Sequence, residues 1–201
     1  MSLPADYFDE LFADSDDPWA FRTRWYEQRK RDLTLAALPR QRYERAFEPG
    51  CANGELSVAL ARRCDSLVCM DLCPRAVELA VQRLKRFSRA RVVQGRLPED
   101  WPEGAFDLIV ISEWAYYLTP ASFIEVIDHM LASLTPDGAV LACHWLQPID
   151  GCAMTGREAH SLLHSRLRLH RTLRHEEPDF LLEVWSRQPG GIDLDEQVRE
   201  A

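Results

Sequence analysis

The feature that most constrains this chain is the segment Phe47-Glu48-Pro49-Gly50-Cys51-Ala52-Asn53-Gly54, a glycine turn that follows a short apolar run. A helical pattern comes next, and then a second apolar run, Val68-Cys69-Met70-Asp71, which ends in an acid. The first glycine permits a tight turn from strand to helix and a close approach of the backbone to a ligand. The terminal acid stands where the hydroxyl groups of a ribose would form hydrogen bonds. This order predicts a nucleotide pocket at one edge of an α/β sheet.

The spacing of the glycines narrows the class of nucleotide. Gly50 and Gly54 leave three residues between them, and Ala52 replaces the middle glycine of the dinucleotide motif G-x-G-x-x-G. A dinucleotide pyrophosphate needs exposed backbone amides at this turn, and the turn is a poor copy of that motif. A nucleoside that carries an amino acid, namely S-adenosylmethionine, fits better and indicates a methyltransferase. A nicotinamide-dependent oxidoreductase and a non-catalytic binding protein on the same fold remain the alternatives.

Hydrophobic periodicity divides the chain into alternating strands and helices. Strands are predicted at residues 46–48, 67–70, 91–94, 106–112, 139–144, 169–174 and 180–187. Helices are predicted at residues 18–38, 55–63, 74–84, 120–134 and 156–167, and a turn at 136–138. Five strand–helix alternations followed by a strand pair predict an α/β fold: a doubly wound, mostly parallel seven-stranded sheet with an antiparallel C-terminal strand pair. Ligands of such sheets bind beyond the carboxyl ends of the central strands.

Composition argues against several classes of protein. The chain has 32 acidic and 24 basic residues and a net charge of −8, whereas a dedicated nucleic-acid binder carries a basic face. No apolar run approaches the roughly 20 residues of a membrane helix, and the first residues lack the basic and apolar regions of a signal peptide. The six cysteines form no C-x-x-C pair, and no metal-ligand set is present. We therefore expect free thiols, no metal, no membrane or nucleic-acid partner, and a cytoplasmic protein.

The ends of the first three strands carry the candidate cofactor contacts. Glu48 can position an amino group of the ligand, or it can be a structural acid that accepts backbone amides of the turn. Asp71 can bind the ribose, or it can favour a helix N-terminus through the helix dipole. Gly95 offers backbone groups to an adenine ring, and Arg96 either stacks on the base or lies on the surface. The predicted cofactor-binding residues are Tyr26, Arg29, Glu48, Gly50, Cys51, Ala52, Gly54, Asp71, Leu72, Gly95, Arg96, Leu97, Ser112 and Glu113.

Polar and aromatic residues at the ends of the fourth and fifth strands carry the candidate chemistry. Glu113 can hold a substrate ammonium and act as a general base, or it can cap the next segment. His144 can take a proton from an attacking amine or hydroxyl, or it can be a hydrogen-bonded structural group. We predict Glu113 and His144 as the catalytic residues. The predicted substrate-binding residues, whose aromatic faces attract cations or alternatively form part of the core, are Trp114, Tyr117, Trp145 and His160.

The N-terminal run from Trp19 to Lys30 is unusually aromatic and basic for a helix outside the sheet. Such a helix can cover the cofactor, with Trp25 or Tyr26 against the ligand and Arg29 or Lys30 near its carboxylate. It can equally be an amphipathic helix that packs its aromatic side chains on the sheet.

Together these segments resemble the class I S-adenosylmethionine-dependent methyltransferases, and more narrowly the nodulation protein S (NodS) family. The similar segments are residues 25–30, 46–51, 106–113, 116–118 and 144–145, and the resemblance covers roughly residues 7–185. It implies a Rossmann-like sheet with an N-terminal helical lid, with S-adenosylmethionine as the cofactor and S-adenosylhomocysteine as its product. We accordingly predict a helical cap at 1–40, an S-adenosylmethionine-binding methyltransferase domain at 41–188 and a polar tail at 189–201.

The resemblance also implies the reaction, which is transfer of a methyl group to a small-molecule acceptor. In founding members of the family the acceptor is the free amine of a deacetylated chitooligosaccharide. We therefore expect N-methylation of an amine, such as an amino sugar or oligosaccharide, with O-methylation of a small metabolite as the alternative. Trp114 is bulkier than the usual residue at its position, and a large side chain there can reshape the acceptor site.

Overall fold

The computed structural model describes residues 5–190, which form one mixed sheet with helices on both faces. The strands are β1 (Tyr43–Pro49), β2 (Cys64–Asp71), β3 (Ala90–Gln94), β4 (Phe106–Ser112), β5 (Leu134–Trp145), β6 (His170–Glu176) and β7 (Phe180–Ser186). The helices are α1 (Ala5–Asp14), α2 (Trp25–Ala36), α3 (Glu55–Ala61), α4 (Pro74–Leu84), α5 (Pro120–Ser133) and α6 (Gly156–Leu167). A short 3-10 turn, Ala115–Tyr117, follows β4.

The seven strands lie in the order β3-β2-β1-β4-β5-β7-β6. The first five strands pair in parallel, whereas β7 runs antiparallel to both β5 and β6. This arrangement confirms the predicted doubly wound sheet with an antiparallel C-terminal pair. The strand order reverses between β1 and β4, and the carboxyl ends of these two strands flank the crevice where ligands of such sheets bind.

The centre of the sheet is apolar because both of its faces are covered. Successive side chains of a strand point to opposite faces, and β4 shows the result. Its Leu108 and Val110 join the cluster that includes residues of α3 and α4, and its Ile109 and Ile111 join the cluster that includes residues of α5 and α6. The long apolar run of β4 therefore fixes it as a central strand with a core on each side.

The turn predicted at residues 136–138 is wrong, because these residues lie inside β5. Phe106 pairs with Leu134, but Leu108 pairs with Ala139, so β5 holds extra residues opposite a short stretch of β4. A bulge absorbs such extra residues without ending the strand. The Pro-Asp-Gly signal thus marks an irregularity in a strand and not its beginning.

The N-terminal region also differs from the prediction, since the second helix begins at Trp25 and not at residue 18. The carboxylate of Asp17 accepts hydrogen bonds from the backbone amides of Phe21 and Arg22, and Ala20 has a φ of +56°. These features hold residues 15–24 in turns. Helix α1 was not predicted, although Phe8, Leu11 and Phe12 have helical spacing.

Among residues 5–190, every helix is too short or too polar to cross a membrane. The division into a cap at 1–40, a domain at 41–188 and a tail at 189–201 stays a prediction, and residues 191–201 of that tail lie outside the described residues.

Candidate active site

A cavity of about 500 Å³ opens at the strand-order reversal, within the size range of small-molecule sites. Its floor is formed by the carboxyl ends of β1, β2, β4 and β5 and by the segment after β3. Its cover is aromatic and comes from α1 and residues 15–24. The aromatic residues that line the cavity from this cover are Tyr7, Phe8, Phe12, Trp19 and Phe21.

The glycine turn adopts backbone conformations that bring it close to the cavity. Gly50 has a φ of +67°, and a Cβ built on it would lie 2.5 Å from Cδ1 of Trp114. A side chain is therefore excluded at Gly50 both by conformation and by the indole ring. Gly54 has a φ of +79°, but its neighbour is Ala80 of α4, so it serves the turn and the packing of α4 and does not line the cavity.

Asp71 fastens the glycine turn to the end of β2. One of its carboxylate oxygens accepts a hydrogen bond from the Ala52 amide at 2.8 Å, and the other accepts one from the Cys73 amide at 3.0 Å. Burial raises the pKa of the Asp71 carboxyl, and the backbone hydrogen bonds oppose that rise. Asp71 also lines the cavity, so the helix-terminus interpretation and the ligand interpretation of this residue are compatible.

Glu48 lies at the end of β1, where 3% of its surface is exposed, and it also borders the cavity. Its carboxylate accepts a hydrogen bond from the thiol of Cys69 at 3.5 Å. Burial raises the pKa of Glu48 to about 8, with a smaller contribution from Asp71. This end of the cavity therefore holds two carboxyl groups that would be stabilised by a cation.

Asn53 connects the glycine turn to the aromatic cover. Its side-chain amide nitrogen donates to the carbonyl of Asp16 at 3.0 Å and to the carboxylate of Asp17 at 2.9 Å. Its side-chain oxygen is buried and lacks a hydrogen-bond partner among residues 5–190, as does the indole nitrogen of Trp114. Both residues line the cavity through other atoms. Asn53 was not among the predicted site residues.

Glu113 is the centre of the polar network at the other end of the cavity. Its Oε1 is 2.6 Å from Nζ of Lys30, and its Oε2 accepts hydrogen bonds from the Tyr116 hydroxyl and the Trp145 amide, each at 2.8 Å. Its backbone has a φ of +63°, in the left-handed region that non-glycine residues avoid. These three contacts hold the Glu113 side chain while its backbone is in a strained conformation. Both carboxylate oxygens of Glu113 therefore already have partners.

The sequence pointed to Lys30 only as an alternative to Arg29, near the carboxylate of the ligand. Its ammonium group is nearly buried and also pairs with Glu27 at 3.0 Å. Burial lowers the pKa of Lys30, but Glu113 and Glu27 outweigh this effect and raise it, so Lys30 stays charged. The pair was invisible in the sequence because it depends on how α2 docks against the ends of β4 and β5.

Besides Gly54, two predicted cofactor contacts lie away from the cavity. The ring of Tyr26 packs edge-on against Trp145 and Phe180, with centroid distances of 5.8 and 6.4 Å. Arg29 forms a bidentate ion pair with Glu177 in the turn between β6 and β7, at 2.6 and 2.8 Å. The described structure therefore does not support direct contact of either residue with a ligand in the cavity, because both face the C-terminal hairpin.

His144 and His160 are brought together behind the cavity and not inside it. His144 is fully buried, and its Nε2 accepts a hydrogen bond from the Ala115 amide at 3.4 Å. Its Nδ1 is 3.1 Å from Nε2 of His160. Burial, His160 and Lys30 lower the pKa of His144 well below the usual value. Both ring nitrogens are in use, so the geometry does not support His144 as a base or His160 as a substrate contact.

Most of the other predicted site residues do line the cavity. These are Glu48, Gly50, Cys51, Ala52, Asp71, Leu72, Gly95, Arg96, Leu97, Ser112, Glu113, Trp114, Tyr117 and Trp145. Their individual roles stay predictions. Within residues 5–190 no group of histidine, cysteine and acidic side chains is arranged to hold a metal ion.

The NodS of Sinorhizobium fredii (strain NBRC 101917 / NGR234) is 32% identical over 126 residues, which are 62% of this chain and 58% of that protein. The NodS of Rhizobium tropici is 29% identical over 126 residues, which are 62% of this chain and 53% of that protein. The matches thus span little more than half the length of these curated relatives.

Two solved structures resemble the fold. A chain from Pseudomonas syringae, described as a "putative Methyltransferase", is 57% identical, with a TM-score of 0.75, and the match covers 82% of this chain and all of that one, 100%. The N-methyltransferase NodS of Bradyrhizobium japonicum WM9, solved in complex with S-adenosyl-L-homocysteine, is 24% identical, with a TM-score of 0.79 and coverage of 90% and 97%. The second match shows the class I methyltransferase fold.

The family model for nodulation protein S matches residues 8–153, which run from the aromatic cover through the glycine turn to the segment after β5. The resemblance inferred from the strand-end motifs is thereby confirmed. Because this match covers well over half of the chain, the chain belongs to the Nodulation protein S (NodS) family.

Proposed function

We propose that this protein transfers the methyl group of S-adenosylmethionine to a small-molecule acceptor, and that the acceptor nucleophile is an amine. The observation that carries the proposal is the single cavity that joins the glycine turn, Glu48 and Asp71 at one end to Glu113 and Trp114 at the other. The cofactor would occupy the first end and the acceptor the second.

The residues of the first end fit the cofactor chemically. Glu48 is a buried carboxyl group and Asp71 a half-buried one, and both suit hydrogen-bond donors and a cationic ammonium. Gly50 borders the cavity, and its positive φ lets the glycine turn fold tightly beside these carboxyl groups. When bound, S-adenosylmethionine supplies an electrophilic methyl group on a sulfonium. The protein then has to position the acceptor and exclude water.

The second end favours a cationic or amine-bearing acceptor. Glu27 and Glu113 together hold one ammonium, that of Lys30, which leaves one negative charge in excess among these three groups. Trp114 and Tyr117 also border the cavity, and aromatic faces attract cations. The N-methyltransferase activity of the Bradyrhizobium japonicum NodS supports the same choice. An amino sugar is the first candidate within this class, and O-methylation of a small hydroxylated metabolite is the alternative.

Glu113 can accept a proton from the acceptor only if it releases one of its present partners. Its oxygens are bound by Lys30, Tyr116 and the Trp145 amide. We therefore assign Glu113 the role of orienting the ammonium group of the acceptor. Glu113 accepts a proton from the acceptor only when that ammonium group replaces the ammonium group of Lys30 beside it. On this account Glu113→Gln retains cofactor binding and lowers turnover.

Transfer of tritium from methyl-labelled S-adenosylmethionine to a panel of amino sugars, small amines and hydroxylated metabolites tests the proposal. We expect label in at least one amine and much less in hydroxyl acceptors. Label confined to hydroxyl acceptors would overturn the amine assignment. A protein that binds S-adenosylhomocysteine but labels no acceptor would be a binding protein. Thermal stabilisation by NADH and not by S-adenosylhomocysteine would identify an oxidoreductase.

A further inference from the structure

Behind the cavity, a chain of buried polar groups runs from the floor of the acceptor end to the edge of the sheet. His144 Nδ1 lies 3.1 Å from His160 Nε2, and His160 Nδ1 lies 2.7 Å from a carboxylate oxygen of Glu183. The exposed fractions of the three residues are 0%, 2% and 1%. The other oxygen of Glu183 accepts hydrogen bonds from two partly exposed arginines of β6, Arg171 at 2.8 Å and Arg174 at 2.9 Å.

The positions of the protons on the two histidines follow from the groups at either end, the Ala115 amide and the Glu183 carboxylate. The Ala115 amide can only donate, so Nε2 of His144 must be without a proton. A neutral His144 then carries its proton on Nδ1 and donates it to Nε2 of His160. His160 in turn carries its proton on Nδ1 and donates it to the Glu183 carboxylate. With this placement of protons every hydrogen bond has one donor and one acceptor, and both histidines are the Nδ1-protonated tautomer.

The hydrogen-bonded residues His144, His160 and Glu183 lie behind the segment that forms the acceptor end of the cavity. Three successive residues at the end of β5 hold this segment. The Cys143 carbonyl accepts from the Glu113 amide at 3.0 Å, His144 Nε2 accepts from the Ala115 amide, and the Trp145 amide donates to the Glu113 side chain. Of these three anchors, only the one at His144 uses a side chain of β5, and only this one depends on a tautomer.

We infer that His144, His160 and Glu183 are positioning residues, which fix the acceptor-binding segment 113–117 by locking His144 as a hydrogen-bond acceptor for Ala115. The inference rests on the proposed function, because it concerns the end of the cavity assigned to the acceptor. None of the three side chains lines the cavity, so they act through Glu113, Trp114 and Tyr117. The strained φ of Glu113, +63°, is the kind of conformation that persists only when its surroundings hold it.

The decisive comparison is between two substitutions of His160. In His160→Gln the amide oxygen can accept from His144 and the amide nitrogen can donate to Glu183, so both hydrogen bonds survive. His160→Leu keeps an apolar volume but removes both. His164→Leu, an exposed histidine on the same helix, is the control. The three variants and the wild type are compared by amide hydrogen exchange at Ala115, by S-adenosylhomocysteine affinity and by kcat.

In His160→Leu we expect exchange at Ala115 to accelerate at least about ten-fold, and kcat to fall by about ten-fold or more, because displaced catalytic segments lose rate steeply. The affinity for S-adenosylhomocysteine should stay within about two-fold, since the cofactor end is held by β1 and β2. His160→Gln should restore both readouts to near the wild-type values, and His164→Leu should change neither.

Three results would overturn the inference: unchanged Ala115 exchange in His160→Leu, equal losses in the leucine and glutamine variants, or a proportional loss of cofactor affinity. If His160→Leu does not fold, nitrogen NMR of the wild type decides. His144 must be the Nδ1-protonated tautomer, and the Nε2-protonated form would refute the positioning role.

Ala115 exchange does not depend on turnover. A wild type that shows the exchange behaviour but no methyl transfer would therefore refute the proposed function and leave the positioning chain in place.

Discussion

At the scale of single residues, Glu113 shows how a position can be predictable while its chemistry is not. An acid at the carboxyl end of the most apolar strand is a sequence-level signal for a ligand-facing group. Its partners come from other parts of the fold: Lys30 from α2 and the Trp145 amide from β5. These contacts change the expected role of Glu113 from a free base to a bound, orienting carboxylate.

The Lys30–Glu113 pair should matter to stability as well as to orientation. Lys30→Met leaves the partly buried Glu113 and Glu27 carboxylates unpaired, and removal of one partner from a buried pair costs about 3 kcal/mol. Combining it with Glu113→Gln should recover part of that loss. Urea unfolding of the two single variants and the double variant measures the coupling, with exposed Lys85→Met as the control. Additive losses would show that the pair does not couple.

The raised pKa of Glu48 should make the free energy of unfolding depend on pH. Burial raises the pKa of its carboxyl from 4.5 to about 8, so between these values the folded state holds a proton that the unfolded state has lost. The contribution of Glu48 is therefore complete below the unfolded pKa, and it declines as the pH rises from about 5 to about 8. In Glu48→Gln this decline should be absent, whereas exposed Glu125→Gln should keep it. Equal pH slopes in the wild type and Glu48→Gln, measured by urea unfolding, would contradict the assignment.

At the scale of elements, the β1–α3 turn joins the two halves of the site, because Gly50 contacts the Trp114 ring from the end of β4. Gly50→Ala would combine a positive φ with a Cβ at 2.5 Å from Trp114, and we expect a loss of about 3 kcal/mol in the free energy of unfolding. Gly190→Ala is the matched control, because a Cβ there meets no atom within 4 Å. A Gly50→Ala protein as stable as the control would show that the turn can relax away from the indole.

Elements with a strong local pattern could be predicted, and elements defined by distant contacts could not. β4 and α6 have the predicted bounds, Phe106–Ser112 and Gly156–Leu167, since a continuous apolar run and a Thr155–Glu158 capping box are local signals. The start of β5 was mistaken for a turn, because only its pairing with β4 shows that Pro136 to Gly138 form a bulge. The contact between His160 and Glu183 likewise depends on how α6 lies over β7.

At the scale of the whole molecule, different strands of the sheet form the two ends of the site. The ends of β1 and β2 carry Glu48 and Asp71 beside a glycine turn. The ends of β4 and β5 carry Glu113 of the ion pair, the aromatic walls and His144 of the positioning chain. The sequence could locate both ends because the carboxyl ends of parallel strands meet at one edge. It could not place the cover, because the aromatic side chains of α1 and residues 15–24, and not those of Trp25 and Tyr26, close the cavity.

The central claim is that the end of the cavity at Glu48 and Asp71 binds the cofactor, and calorimetric titration with S-adenosylhomocysteine tests it most directly. Asp71→Asn should weaken the affinity about ten-fold or more, because a charged acceptor contributes about 1.5–3 kcal/mol to a hydrogen bond. The control is Asp65→Asn, since Asp65 lies at the opposite end of β2 in an exposed ion pair with Arg42. We predict saturable binding to the wild type and the control and much weaker binding to Asp71→Asn. Equal affinity in all three proteins would contradict the account.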